Sequence, residues 1–277
     1  MSSASCRILA GTSGFSYEDW RGSWYPAGLP KRAMLDYYAD RFPALEINAT
    51  YYGTPSVLTA RRMVERASGR LCFAVKAPGD LTHKGLAGPD VILPFREFLE
   101  PFAGAGCLGP VLLQFPASFV YTRDHRDFLA MAAGQLAGLE LAVEFRSATW
   151  DGAPARAEVG ELGVVRVVVD QPAVKGLSVS LEEPAVPAPF AYYRFHGRNA
   201  GGWYGSEERH GRYRYRYGTE ELHELAAAVR KGAERATTYA FFNNHPDGNA
   251  AQNAERLAGM LGLPPPPESA TDLFGEE

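Results

Sequence analysis

Positive charge is not in excess in this chain: 28 Lys and Arg stand against 32 Asp and Glu, a formal net charge of −4. That excludes a strongly basic coat for nucleic acid, although not a local basic groove. Cysteine is scarce. Cys6, Cys72 and Cys107 make an odd count without metal-type spacing, which argues against a disulfide framework and points to a reducing compartment. The N-terminus lacks a long apolar segment, and nothing reads as a signal peptide or membrane span. The expectation is a soluble cytoplasmic protein with no membrane partner. A glycine-rich phosphate turn is also missing, since Gly11-Thr12-Ser13-Gly14 lacks the G-x-G-x-x-G spacing.

Core material is ample. Of 277 residues, 46% are hydrophobic, which suits one large α/β domain or two smaller ones. Short apolar runs recur, and each ends in polar side chains. The clearest is residues 140–146, Glu-Leu-Ala-Val-Glu-Phe-Arg, where Glu144 and Arg146 stand two apart. Read as a strand, it puts both charges on one face at its C-terminal end. Runs of the same kind predict strands over residues 7–12, 44–49, 71–77, 109–115, 164–170, 190–196 and 237–244.

Helical periodicity fills the intervals. Leu35, Tyr38 and Phe42 predict a helix over 31–42. Thr54-Pro55 reads as an N-cap and first-turn pair for a helix ending near Gly69. Phe95, Leu99 and Phe102 mark another helix, and Thr122 caps one through about Leu136. Further helices are expected through Leu162, over 220–231 and over 250–260. The segment 171–189, with Pro172, Pro184, Pro187 and Pro189, reads as an irregular excursion.

The polar exits Glu46, Lys76, Gln114, Glu144, Asp170 and His196 lie 26 to 38 residues apart. Such spacing fits successive βα units, and eight units predict a single (β/α)8 TIM barrel of the α/β class. An open doubly wound sheet is the alternative. The barrel domain is expected over residues 1–263, followed by a proline-rich, disordered tail over 264–277.

The motifs resemble a known family, DUF72, also called YecE-like. The matching stretches are Gly11-Thr-Ser-Gly-Phe, Glu46-Ile-Asn-Ala-Thr-Tyr-Tyr, Phe73-Ala-Val-Lys-Ala-Pro, Leu112-Leu-Gln-Phe-Pro, Val143-Glu-Phe-Arg, Tyr193-Arg-Phe-His-Gly and Phe242-Asn-Asn-His. They run from residue 11 to about 262, and together they are specific. The resemblance implies a TIM barrel. It implies no settled activity, because the family's name records a domain of unknown function.

In such a barrel the side chains at the C-terminal strand ends converge on one mouth. Glu46, Glu144 and His196 are the acid–base candidates, with Lys76 a further catalytic candidate as an amine, a Schiff base being its minor form. One of the two glutamates could hold its proton as an acid while the other stays charged as a base. Asn48, Tyr51, Gln114, Arg146, Asp170, Arg194, Trp203 and one of Asn243 and Asn244 are candidates for binding substrate. Parity does not choose between the two asparagines. Lys76, Arg146 and Arg194 could hold a phosphate or carboxylate. The competing reading is that these charges are structural ion pairs.

No cofactor is predicted firmly. A divalent metal on Glu144, Asp170 and His196 is conceivable, but Arg146 and Arg194 sit two residues from two of these ligands and oppose a cation. The loop aromatics Trp20, Trp24, Tyr25, Tyr51, Tyr52, Trp150, Trp203 and Tyr204 either stack on a ligand or cover the barrel top. The stretch 209–217 alternates Arg209, Arg212, Arg214 and Arg216 with Tyr213, Tyr215 and Tyr217. It could contact nucleic acid, or it could be a solvated edge. The expected function is an enzyme with a small, polar, anionic substrate and carboxylate–histidine acid–base chemistry. The rival readings are a nucleic-acid-binding or phosphodiester-cleaving protein and a non-catalytic small-ligand binder.

Overall fold

The computed structural model describes residues 7–178, 188–201 and 211–264. Nine parallel strands form one sheet: β1 Ile8–Ser13, β2 Ala44–Ile47, β3 Cys72–Lys76, β4 Leu108–Phe115, β5 Leu141–Phe145, β6 Val165–Arg166, β7 Val168–Asp170, β8 Phe190–Phe195 and β9 Thr237–Phe242. Their order is β6-β5-β4-β3-β2-β1-β9-β8-β7. The two outer members of that order, β6 and β7, are consecutive in the chain and separated only by Val167. The predicted strand 164–170 is therefore one interrupted strand, and the sheet closes through it. Across the interruption, the Val167 N–H donates to Val143 O at 2.9 Å. The α/β barrel expected from the βα rhythm is the observed fold.

The described helices are α1 Met34–Ala39, α2 Val57–Ala67, α3 Gly79–Thr82, α4 Pro89–Gly104, α5 Arg123–Gln135, α6 Ala153–Glu161, α7 Thr219–Ala233 and α8 Asn249–Leu261. Two local expectations change. The helix predicted over 31–42 divides into a 3-10 turn, Lys31–Ala33, and the shorter α1. The cap of α2 is Ser56 rather than Thr54: its hydroxyl accepts from Thr59 N–H at 3.3 Å, leaving Pro55 outside the helix. Thr122 caps α5 as expected, accepting from His125 N–H at 3.4 Å.

Strand alternation divides the core in two. Inside the barrel, Leu9, Ala44, Ala74, Ala142, Tyr192 and Phe241 belong to one buried cluster. A larger cluster lies between sheet and helices and includes Leu45, Val75, Leu113, Val143, Phe195 and Phe242. Small alanines on β2, β3 and β5 leave room for the big rings of β8 and β9.

The β1–β2 pair carries one local device. Tyr38 of α1 places its hydroxyl between the strands, accepting from Thr12 N–H at 2.8 Å and donating to Ala44 O at 2.9 Å. A side chain at Gly11 would collide here, since a Cβ would stand 2.0 Å from Ala44 O. Glycine is the residue that lets the backbones and the phenol meet.

Candidate functional site

A cavity of about 790 Å³ opens at the C-terminal ends of the strands. Glu46, Asn48, Lys76, Gln114, Arg146, Arg194 and Asn243 line it from the strand exits, with Tyr17, Tyr51, Tyr52, Tyr213 and His245 from the loops. The inward row of each strand continues straight into this wall. Ala44 leads to Glu46, Ala74 to Lys76, Leu112 to Gln114, Ala142 through Glu144 to Arg146, and Tyr192 to Arg194. Phe241 leads to Asn243, which settles the choice between the two asparagines. Asn244 has the opposite parity, and its amide donates instead to Tyr215 O at 2.6 Å.

The base of the wall is a closed ionic cluster. Arg194 donates to Glu46 from Nε at 2.9 Å and from Nη2 at 2.8 Å, and its Nη1 reaches Glu144. Tyr192 donates its hydroxyl to Glu46 at 2.7 Å. Arg146 Nε meets Glu144 Oε1 at 2.7 Å, and its Nη1 donates to Gln171 Oε1 at 2.6 Å. Glu46, Glu144, Arg194 and Tyr192 are all buried. Burial alone would raise the Glu144 pKa, but Arg194, Arg146 and His196 override it and hold the carboxyl well below its usual value. Glu144 is thus a fixed anion, the charged state expected of one of the two glutamates.

His196 stands behind this cluster, fully buried. Its Nε2 lies 3.3 Å from Glu144 Oε1 and 3.2 Å from Arg146 Nη2, and its Nδ1 is 3.0 Å from the Asn243 amide. Burial, with the Arg146 charge, pushes its pKa down to about 3. The imidazole is therefore neutral at physiological pH and does not line the cavity.

Lys76 is placed differently. Its Nζ donates to Gln114 Oε1 at 2.8 Å and sits 4.3 Å from the centre of the Tyr51 ring. Gln114 is oriented by its own amide, which donates to Phe115 O at 3.1 Å. Among the described residues no carboxylate lies within ion-pair distance of Lys76. Burial and the charge of Arg194 push its pKa down to about 7.

Asp170 leaves the expected set. Val165, Val167 and Val169 face the barrel interior, so Asp170 faces outward towards the helices. There it accepts from Arg198 Nε at 2.9 Å and from the Tyr217 hydroxyl at 2.6 Å. Gln171, next along, is the inward residue, and the alternation of the three valines was the signal for it. With Asp170 turned away, the conceivable trio of Glu144, Asp170 and His196 does not converge. No group of three or more metal-ligating side chains occurs among the described residues.

The aromatics split. Tyr51 and Tyr52 line the cavity, whereas Trp20, Tyr25 and Trp150 are buried in the core. Trp24 packs against Trp20 and donates to Glu255 at 2.8 Å. Tyr17, stacked on His245 at 4.5 Å, and Tyr213 are cavity residues that had no periodic signal, because they sit on loops. Trp203, Tyr204 and Arg209 lie outside the described residues, as does the side chain of Arg212. The described part of the Arg–Tyr stretch folds onto the barrel: Tyr213 and Arg214 line the cavity, and Tyr217 is buried on Asp170.

Fold and site together define an α/β barrel with a donor-rich cavity at its C-terminal mouth. The chain belongs to the DUF72 family, described as a protein of unknown function, whose model matches residues 9–271. The match runs past residue 263, into the proline-rich stretch. A DUF72 protein of Thermotoga maritima is 36% identical, with a TM-score of 0.84 over 92% of this chain and 99% of its own. A DUF72 protein of Enterococcus faecalis is 28% identical, with a TM-score of 0.82 over 93% and 96%. The UPF0759 protein YunF of Bacillus subtilis is 27% identical, covering 92% of this chain and 95% of its own. A D-allulose 3-epimerase of Methylomonas, solved with D-allulose, shares the fold at 12% identity and a TM-score of 0.54. No helix among the described residues is long and apolar enough to cross a membrane.

Proposed function

We propose that this protein is a cytoplasmic enzyme acting on a small, polar, anionic substrate bound in the strand-end cavity. The carrying observation is the chemistry of the wall. Glu46 and Glu144 are already engaged by guanidinium groups and are fully buried. What reaches the cavity is chiefly donors: Lys76, Arg146, Arg214, and the amides of Gln114 and Asn243, set against one exposed carboxylate, Asp19, which accepts from Asp247 N–H at 2.8 Å. Such a wall favours an anion, held by charge-assisted hydrogen bonds. Tyr17, Tyr51 and Tyr213 supply faces on which a ring or carbon chain can rest. The sugar bound by the distant epimerase is consistent with a hydroxylated ligand in this type of barrel, but at 12% identity the likeness reaches the fold alone.

In this reading Lys76 is the group that moves a proton, since it changes charge near neutral pH. Glu46 and Glu144 hold Arg194 and Arg146 in place, and His196 packs neutral behind them. The test is thermal unfolding with inorganic phosphate, a sugar phosphate, a sugar carboxylate and a neutral sugar. The anions should raise the Tm and the neutral sugar should not, and Arg146→Gln should remove most of the effect. A Tm indifferent to every anion would sink the proposal.

A further inference from the structure

Lys76 is built unlike a lysine retained for ion pairing. A structural lysine at the base of such a wall would face a carboxylate. Lys76 faces an amide oxygen, Gln114 Oε1 at 2.8 Å, and the face of Tyr51. The two nearby carboxylates are taken by Arg194 and Arg146. Gln114 cannot turn freely, because its amide nitrogen is engaged at Phe115 O. The amine is therefore held at the end of a short strand, on the surface of a cavity large enough for a small metabolite. Beside it on the same wall, Asn48 Oδ1 is buried without a hydrogen-bond partner among the described residues, an acceptor suited to a hydroxyl group.

We propose that Lys76 is a covalent catalyst that forms a Schiff base with the carbonyl carbon of a small anionic aldehyde or ketone carrying a hydroxyl group. This deepens the reading of the cavity as an anion site and rests on it. The amine nitrogen adds to the carbonyl carbon, and a proton passes to the carbonyl oxygen to give a carbinolamine. The C–O bond then breaks and the oxygen leaves as water. In sum, ammonium and carbonyl give a protonated imine and one water, with no oxidant or reductant required. The wall suits both halves of the step. Burial, with Arg194 close by, suppresses the charge on the free amine, and Arg146 on the same wall accepts the substrate's anionic end.

The experiment is reductive trapping. Wild type and Lys76→Arg are each incubated with glyoxylate, pyruvate or glycolaldehyde phosphate plus cyanoborohydride, then digested and mapped by mass spectrometry. Lys31, Lys84, Lys175 and Lys231 are the other lysines and serve as internal controls. We expect one adduct per chain at Lys76, formed at least about ten-fold faster than at any control lysine. In wild type the Lys76 rate should rise about ten-fold from pH 6 to pH 8 and then level off, whereas control lysines keep rising. Lys76→Arg should lose the adduct while the control lysines react at their wild-type rates. Even labelling of all lysines, or an unlabelled Lys76 in a protein whose Tm still responds to phosphate, would overturn the covalent role alone. No labelling and no response to phosphate would overturn the anion site with it.

Discussion

Arg194 grips Glu46 with two parallel hydrogen bonds, 2.9 and 2.8 Å long, where both side chains are buried. Its remaining nitrogen reaches Glu144, so one guanidinium ties β8 to β2 and β5 across the barrel. Desolvating three charges is unfavourable, and replacing such a cluster with apolar groups is often neutral. Its value lies in holding the wall rigid. Removing one member is another matter, because the others are left buried and uncompensated. Arg194→Leu is expected to lower the unfolding free energy by about 3–5 kcal/mol. Arg194→Lys should recover little of it, since an ammonium cannot make the paired contact. Urea unfolding measures both, and a loss under about 1 kcal/mol for the leucine variant would refute the account.

Glu144 makes the cluster sensitive to acid. Its folded pKa is held below the unfolded value, so its stabilising effect is complete above about pH 4.3 and is lost as the pH falls through the lower folded value. Urea midpoints of the wild type should therefore drop more steeply below pH 4 than those of Glu144→Gln. Parallel curves would show that Glu144 is not the group responsible.

His196 should be silent to titration at physiological pH. Burial and Arg146 bring its pKa to about 3, against an ordinary value of 6.5. The unfolded chain takes up its proton first, so stability falls as the pH drops from 6.5 towards 3. Nuclear magnetic resonance of labelled imidazoles should show His196 neutral from pH 5 to 8. A midpoint near 6.5 would contradict the packing described.

Lys76 should weaken the fold. With a folded pKa near 7 and an ordinary value of 10.5, the unfolded chain binds the extra proton between these limits, and stability rises with pH across that window. Lys76→Met is expected to stabilise the protein by about 1–3 kcal/mol at pH 6.5, and by progressively less towards pH 10. A variant less stable than wild type at pH 6.5 would mean that the Gln114 and Tyr51 contacts outweigh the desolvation.

Asp170 separates structure from binding. Facing Arg198 and Tyr217 on the outer side of the sheet, it does not line the cavity. Asp170→Asn should destabilise by about 1–3 kcal/mol while the Tm shift produced by phosphate stays the same. A lost phosphate response with intact stability would return Asp170 to the site.

Asp170 also shows where sequence reading misled. Taking one polar residue at the exit of each apolar run located Glu46, Lys76, Gln114, Glu144 and His196 on the inward face, with His196 packed behind the ionic cluster. At the sixth strand the same habit chose the wrong parity, although Val165, Val167 and Val169 already marked the inward row. The Asn243–Asn244 choice yields to the same rule once Tyr239 and Phe241 are known to face inward. The cap of α2 moved from Thr54 to Ser56 because local propensity allows either residue, and only the path of the chain selects one.

The order of strands, the inward rows and the convergence of charges on one mouth were determined by the sequence itself, since period-2 alternation and βα spacing are local properties written along the chain. Which charges pair, which titrate and which reach the ligand was decided by tertiary structure alone. Arg194 is 148 residues from Glu46 and 50 from Glu144, and burial sets the electrostatics of all three. Desolvation and distance exist only after the barrel closes, and they make Glu144 a locked anion, His196 a neutral spacer and Lys76 a lysine that gives up its proton near neutral pH.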